Sequence, residues 1–202
     1  MRNNDTPQLV ILAGPNGSGK STSAPALLQG VLKIGLFVNA DTIARGLAAF
    51  DPQDAAMLAA RLMIDRMDQL ANRRVNFAIE TTLSGRTLAA WISRLQREFG
   101  YESHLIYLWV TNPNIAVARV NDRARLGGHS IPEDTIRRRY KLSARNLIHL
   151  YLPKLASWRV YNNDGSSGPR LIAVGQAHEP TKICDAGEWQ KLGDLAGDTE
   201  SN

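Results

Sequence analysis

The chain has 202 residues, 44% of them hydrophobic and 21% charged, with 24 Lys and Arg against 19 Asp and Glu for a net charge of +5. That length suits one domain with a full buried core, and no apolar stretch approaches the roughly 20 residues of a membrane span. The single Cys184 excludes an internal disulfide, and Met1-Arg2-Asn3-Asn4-Asp5 lacks the charged-then-apolar order of a signal peptide, so a cytoplasmic setting is expected.

Strand and helix signals alternate along the chain. Residues 8–13 read as an apolar strand, and directly after it Gly14, Gly19, Lys20 and Ser21 satisfy the spacing G-x-x-x-x-G-K-[ST]. Each fixed position has a physical task. Glycines let backbone N–H groups turn inward at an anion, and the helix that follows adds partial positive charge at its N-terminus. Lys20 reaches for the β- and γ-phosphates, and the Ser21 hydroxyl for Mg²⁺. Gly14, Pro15, Asn16, Gly17, Ser18, Gly19, Lys20, Ser21 and Thr22 are therefore expected to cradle ATP or GTP.

The helix over 19–30 contains Pro25, which limits or bends it. A short strand is expected at 35–39, and a helix from Asp51-Pro52 to about residue 72, with Met57, Leu58, Leu62, Met63 and Leu70 at helical spacing. Residues 75–80 read as strand, 86–99 as a helix stopped by Gly100, and 104–110 as a central parallel strand. Asn112-Pro113 opens a helix through about Arg125. Ser130-Ile131-Pro132-Glu133 has capping-box spacing, with Ser130 as the cap, and the helix behind it runs to Pro153. Strands follow at 158–162 and 170–174, then a polar tail from 185 to 202. The order predicts an α/β fold: a P-loop NTPase-type parallel sheet with helices on both faces and a helical lid, as a single P-loop kinase domain over 1–184.

In such a sheet ligands sit at the carboxyl ends of the strands. Asp41 follows the second strand there, placed to take a proton from a substrate hydroxyl, to help hold Mg²⁺, or to cap the next helix. Glu80-Thr81-Thr82 follows the third strand. Glu80 suits metal-water coordination or substrate binding, and Thr82 donation to a substrate phosphate. The arginines gather at Arg119, Arg123 and Arg125 and again at Arg137, Arg138 and Arg139, on either side of Gly127-Gly128-His129. That arrangement fits a lid closing its charges over phosphates, and equally a solvated basic helix face. His129 is a candidate substrate contact.

These segments together resemble the zeta toxin family of P-loop kinases. The matching segments are Gly14–Thr22, Asn39-Ala40-Asp41, residues 77–84 and residues 127–132, within about residues 8–175. The resemblance implies ATP- and Mg²⁺-dependent transfer of the γ-phosphate to the 3′-hydroxyl of the sugar in UDP-N-acetylglucosamine, and a possible protein antitoxin as partner. Carried over by position, Lys20 grips the phosphates, Asp41 is the general base, and Glu80 and Thr82 line the substrate side. Arg119 or Arg123 then stabilises the transferring phosphoryl group. The family's second catalytic arginine falls near His129 here, leaving Arg125 or one of Arg137–Arg139 to replace it. The helix before the Glu80 strand offers only Arg61 and Asp65 where longer toxins carry an acidic residue.

Two other functions fit the same residues. One is a kinase for another hydroxyl substrate, such as an antibiotic or a small sugar. The other is a regulatory module that binds nucleotide without turnover and uses the basic lid for a protein or nucleic acid. Intact Lys20, Ser21 and Asp41 favour an enzyme, so neither a membrane nor a nucleic acid is an expected partner.

Overall fold

The computed structural model describes residues 6–47, 52–128, 130–165, 167–177 and 179–197. Among them, seven strands form one sheet in the order β2-β3-β1-β4-β5-β6-β7: β1 Gln8–Ala13, β2 Phe37–Val38, β3 Phe77–Thr81, β4 Glu102–Trp109, β5 Ser157–Asn162, β6 Arg170–Gln176 and β7 Glu179–Ile183. Strands β1 to β5 pair in parallel, whereas β6 and β7 extend the β5 edge antiparallel.

Strand β1 lies between β3 and β4, with apolar side chains on both faces, as a parallel strand covered by helices requires. Leu9, Ile11 and Ala13 join the larger core, with Met67 of helix α3 (Pro52–Asn72), Ile92 of α4 (Thr87–Phe99), Val120 of α5 (Pro113–Arg125) and Ile136 of α6 (Glu133–Asn146). Val10 and Leu12 face the smaller core, under Ala24 of α1 (Lys20–Ala24) and Leu28 beyond it. Because the chain leaves β1 for one side of the sheet and later returns to β4 on the other, a crevice opens at the carboxyl end of β1. The phosphate loop lies there.

Three expectations change. The helix expected over 19–30 is α-helical only to Ala24 and continues as a wider π-helical stretch over Pro25–Val31, because Pro25 has no N–H for the α-ladder. The capping box at Ser130 does not form. Helix α6 starts after Pro132, at φ −55° and ψ 138°, without a side-chain cap, and Glu133 instead accepts from Arg137 Nε at 2.8 Å.

The segment expected as a polar tail from 185 is helix α7 over Ala186–Gly197, with Leu192 and Ala196 buried. Trp189 stacks on Trp158 of β5, ring centroids 5.4 Å apart and 7° from parallel. Asp185 Oδ1 accepts from the Glu188 amide at 2.9 Å, and Arg170 donates to Asp185 and Glu188, each at 2.7 Å. A boundary at 184 would therefore cut through packed structure. Strand β7 had no sequence signal, since all of its residues are exposed and it has no apolar face to pattern. No described helix is long and apolar enough to cross a membrane.

Candidate active site

The phosphate loop is held in place from outside. A Cβ on Gly17 would sit 2.4 Å from the Ala116 carbonyl oxygen of α5, and one on Gly19 2.4 Å from Asn163 Nδ2. Both glycines have positive φ, 75° and 88°, closed to most side chains. Gly19 in the left-handed region starts α1 and aims its first amides into the crevice. Asn163, beyond β5, donates to the Ser18 carbonyl at 2.8 Å. Lys20 is buried, and its ammonium donates to the carbonyls of Gly14 at 2.8 Å and Pro15 at 2.9 Å. Burial lowers its pKa; the negative charges of Glu80 and Asp41 oppose that, and Arg123 adds to it. Those four groups thus share one electrostatic site.

Glu80 sits against the loop. Ser21 Oγ donates to its two carboxylate oxygens at 3.1 and 3.2 Å, and Asn39 Nδ2 donates to Oε2 at 2.7 Å. Burial raises the Glu80 pKa, countered chiefly by Lys20 and the hydrogen bond from Ser21. These oxygens and the hydroxyl form a hard-donor set suited to Mg²⁺, which takes one or two protein oxygens and leaves its other positions to phosphates and water. Among the described residues there is no cluster of three His, Cys, Asp or Glu that would bind a metal without phosphate.

The other end of Asn39 settles the role of Asp41 in its helix. Asn39 Oδ1 accepts from the Thr42 amide at 3.1 Å and so caps α2 (Ala40–Gly46). Asp41 is therefore in the first turn without being the cap, and its exposed carboxylate opens on the cleft. Sequence alone assigned Asn39 no task, although its one amide sets both Asp41 and Glu80.

Thr82 also borders the cleft, its hydroxyl 2.8 Å from that of Ser84. Leu83 between them is fully buried at φ 55°. This strained turn is pinned from behind: Asn146 donates to the Leu83 carbonyl at 2.6 Å and Tyr151 to the Gly85 carbonyl at 3.0 Å.

The arginines divide. Arg119 donates to three backbone carbonyls, Gly17 at 3.4 Å, Asn163 at 2.8 Å and Asp164 at 2.7 Å, so it braces the phosphate loop against the segment after β5. Asp164 in turn accepts from the Thr111 amide at 2.9 Å and hydroxyl at 2.6 Å, tying in the end of β4. Arg123, one turn along α5, is exposed and borders the cleft without a hydrogen-bond partner among the described residues. Arg125 pairs with Asp122 at 3.5 Å and Arg137 with Glu133 at 2.7 Å, neither of them bordering the cleft. Arg139 does border it, with neither a hydrogen bond nor an ion pair to another described residue. His129 lies outside the described residues. Before it, Gly127 at φ 86° ends α5 as a left-handed cap, so the glycine pair is a helix-ending turn at the rim.

The cleft encloses about 1720 Å³ and joins the phosphate loop, Asp41, Glu80, Thr82, Arg123 and Arg139 to the flanks of α3 and α4. Asn163 and Arg139 border it through packing that sequence spacing does not encode, and Asp164 braces it from behind through Arg119 and Thr111.

The zeta toxin family model matches residues 1–167. The chain belongs to the zeta toxin family. Family membership makes this zeta toxin homologue a phosphotransferase and leaves its acceptor unspecified. An uncharacterised protein of Haemophilus influenzae is 32% identical over 133 residues, 65% of this chain and 91% of that one.

Among solved structures, a chain of the AvrRxo1-ORF1:AvrRxo1-ORF2 complex with sulphate ions is similar over 98% of this zeta toxin homologue, at a TM-score of 0.76 and 16% identity. This chain spans only 66% of that one's length. The same complex with ATP gives a TM-score of 0.75 at 17% identity, over the same shares of both chains. A chain of the PezAT toxin–antitoxin system of Streptococcus pneumoniae has a TM-score of 0.63 at 17% identity, covering 98% of this chain and 81% of that one. At such identities the likeness is one of fold.

Proposed function

We propose that this chain transfers the γ-phosphate of ATP to a hydroxyl of a small-molecule alcohol, with Asp41 as the general base. One observation carries this most directly. Asn39 takes over the helix cap, and the carboxylate of Asp41 is left to face the cleft that holds Lys20 and the Ser21–Glu80 pair. A base must be free to accept a proton beside the phosphate donor.

The phosphates rest on the amides of the Gly14–Thr22 loop, with Lys20 at its centre. Ser21 and Glu80 would hold Mg²⁺, with Asn39 fixing the carboxylate; the ion supplies charge neutralisation at the phosphates. The acceptor hydroxyl gives its proton to an Asp41 carboxylate oxygen as its own oxygen attacks the γ-phosphorus, and the bond from that phosphorus to the β–γ bridging oxygen breaks to release ADP. Arg123 and Arg139, without hydrogen bonds to other described residues, offset the negative charge on the transferring group. Arg139 thereby supplies the second arginine that alignment leaves at His129. Thr82 orients the acceptor.

The acceptor to which the resemblance points is UDP-N-acetylglucosamine, and it sets the first assay. A protein antitoxin is the partner to seek, PezAT being a toxin–antitoxin system, and a cytoplasmic setting would supply both ATP and acceptor. The test is ³¹P NMR with MgATP, with and without UDP-N-acetylglucosamine, for the protein and for Asp41→Asn. A new phosphomonoester signal with an accepted alcohol, absent from the variant, is the expected result, and its absence with UDP-N-acetylglucosamine moves the search to other alcohols. Equal transfer by the variant would remove Asp41 from the mechanism.

A further inference from the structure

Away from the phosphate loop the cleft changes character. Ala60, Met63, Ile64 and Met67 lie at the helical spacing i, i+3, i+4, i+7, so they form one stripe along the cleft side of α3, with Ala60 exposed and Ile64 half-buried at the surface, Met63 almost fully buried and Met67 fully buried behind them. Leu88 of α4 and Ile131 at the rim continue this apolar surface. The polar groups that α4 and the turn before it add to this part of the cleft are neutral: the paired hydroxyls of Thr82 and Ser84, and that of Thr87. The charged residues of α3 in this stretch, Arg61, Asp65 and Arg66, are exposed and do not border the cleft.

The cations that do border it, among the described residues, are Lys20, Arg119, Arg123 and Arg139. Lys20 and Arg119 belong to the phosphate loop, being bonded to its own carbonyls. Arg123 and Arg139 are then the cations left for the transferring phosphate of ATP. Asp41 and Glu80 add two carboxylates to the floor. A second diphosphate lying along α3 would bring two more negative charges to a wall of methionine, isoleucine and leucine, and burying a charge there without a partner is costly. An uncharged body meets no such cost, and methionine packs against irregular apolar shapes.

We infer that the acceptor is an uncharged alcohol with an apolar body, seated on the α3 stripe with its hydroxyl at Asp41, and not a sugar nucleotide. This inference rests on the kinase function proposed above, narrows its acceptor and departs from the acceptor of the family resemblance.

The test uses two probes that share one amino sugar: 4-nitrophenyl N-acetyl-β-D-glucosaminide, uncharged with an aromatic body, and UDP-N-acetylglucosamine. Binding of each is measured by calorimetry to the protein saturated with Mg²⁺ and a non-hydrolysable ATP analogue. The aryl glycoside is expected to bind at least about tenfold tighter, a margin that apolar and charge complementarity together supply. Ile64→Lys, at a half-buried position, should weaken the aryl glycoside and strengthen the UDP-sugar. That gain also shows the variant to be folded. Leu88→Lys is the second variant, with the same expectation.

Tighter binding of the UDP-sugar by the unaltered protein, binding of neither probe, or indifference to both substitutions overturns the inference. Phosphoryl transfer is scored separately by ³¹P NMR with MgATP. Tight aryl binding without a phosphomonoester keeps the acceptor wall and removes the kinase function, whereas transfer to the UDP-sugar alone does the opposite.

Discussion

On the phosphate-loop side of the cleft, side chains bind backbone to backbone. Asn163 holds Ser18, Arg119 holds Gly17 and the segment after β5, and Lys20 folds onto Gly14 and Pro15. Across the cleft, the side chains of Asp41, Arg123 and Arg139 make no such ties, and each borders open space. The contrast is sharpest within α5, where Arg119 and Arg123 stand one turn apart on the same helix. One guanidinium is spent on architecture and the other is left for chemistry. A site that must receive an anion in fixed geometry gains from a rigid cradle, while groups that act on a bound substrate must keep their charges unpaired until it arrives.

The proposed chemistry makes the contrast measurable, and the largest effect belongs to the open side. Asp41→Asn should lower phosphoryl transfer by about 10²–10⁴-fold, the usual contribution of a positioned base, with ATP affinity by calorimetry nearly unchanged. A variant that loses ATP binding in parallel would place Asp41 on the phosphate side instead.

Arginine substitutions come next. Arg123→Ala should cost about 10²–10³-fold in transfer and leave the melting temperature where it was. Arg119→Ala should lower stability by on the order of 2 kcal/mol through its lost charged hydrogen bonds, read as a drop of several degrees in thermal unfolding. If the two variants exchange these phenotypes, the division within α5 is wrong.

Behind the open side, α6 and the helical segment that continues it (Leu147–Tyr151) are fastened by tyrosines: Tyr107 to Ser143 at 2.9 Å, Tyr140 to the Val110 carbonyl at 2.7 Å and Tyr151 to Gly85. Burial raises all three phenol pKa values. Below the unfolded value near 10 both states keep the proton and stability is undiminished. Above it only the unfolded chain ionises readily, so stability falls as pH rises, by up to about 1.4 kcal/mol per pH unit for each tyrosine. Urea unfolding at increasing pH should show that decline, and Tyr107→Phe should make it shallower.

The smallest effect concerns the cap. Asn39→Ala should cost about 1 kcal/mol, whereas Asp41→Ala should cost no cap at all. Equal losses in chemical denaturation would return the capping role to Asp41.

Much of the fold was legible because its signals are local. The strand over 8–13, the loop glycines and the helices behind Pro52 and Pro113 follow from spacing within a few residues. The failures are equally physical. Strand β7 buries nothing and so leaves no periodicity. Helix α7 carries only Trp189, Leu192, Leu195 and Ala196 as its apolar stripe, diluted by glycine and charge into the look of a tail. Ser130 has the letters of a cap, yet Pro132 sets the entry into α6.

The sequence by itself determined that this protein carries a phosphate-binding loop at the end of a buried strand, with acidic residues at the ends of the next two strands. Strand alternation and motif spacing are short-range properties that survive without knowledge of the fold. Only the tertiary structure decided that Glu80 meets Ser21 across 59 residues and that Asn163 meets Ser18 across 145. The fold likewise decided that Arg139, of three consecutive arginines, turns to the cleft. Successive helical residues point about 100° apart, so which of them faces the site depends on how the helix is rotated against its neighbours. That rotation is set by packing in the core.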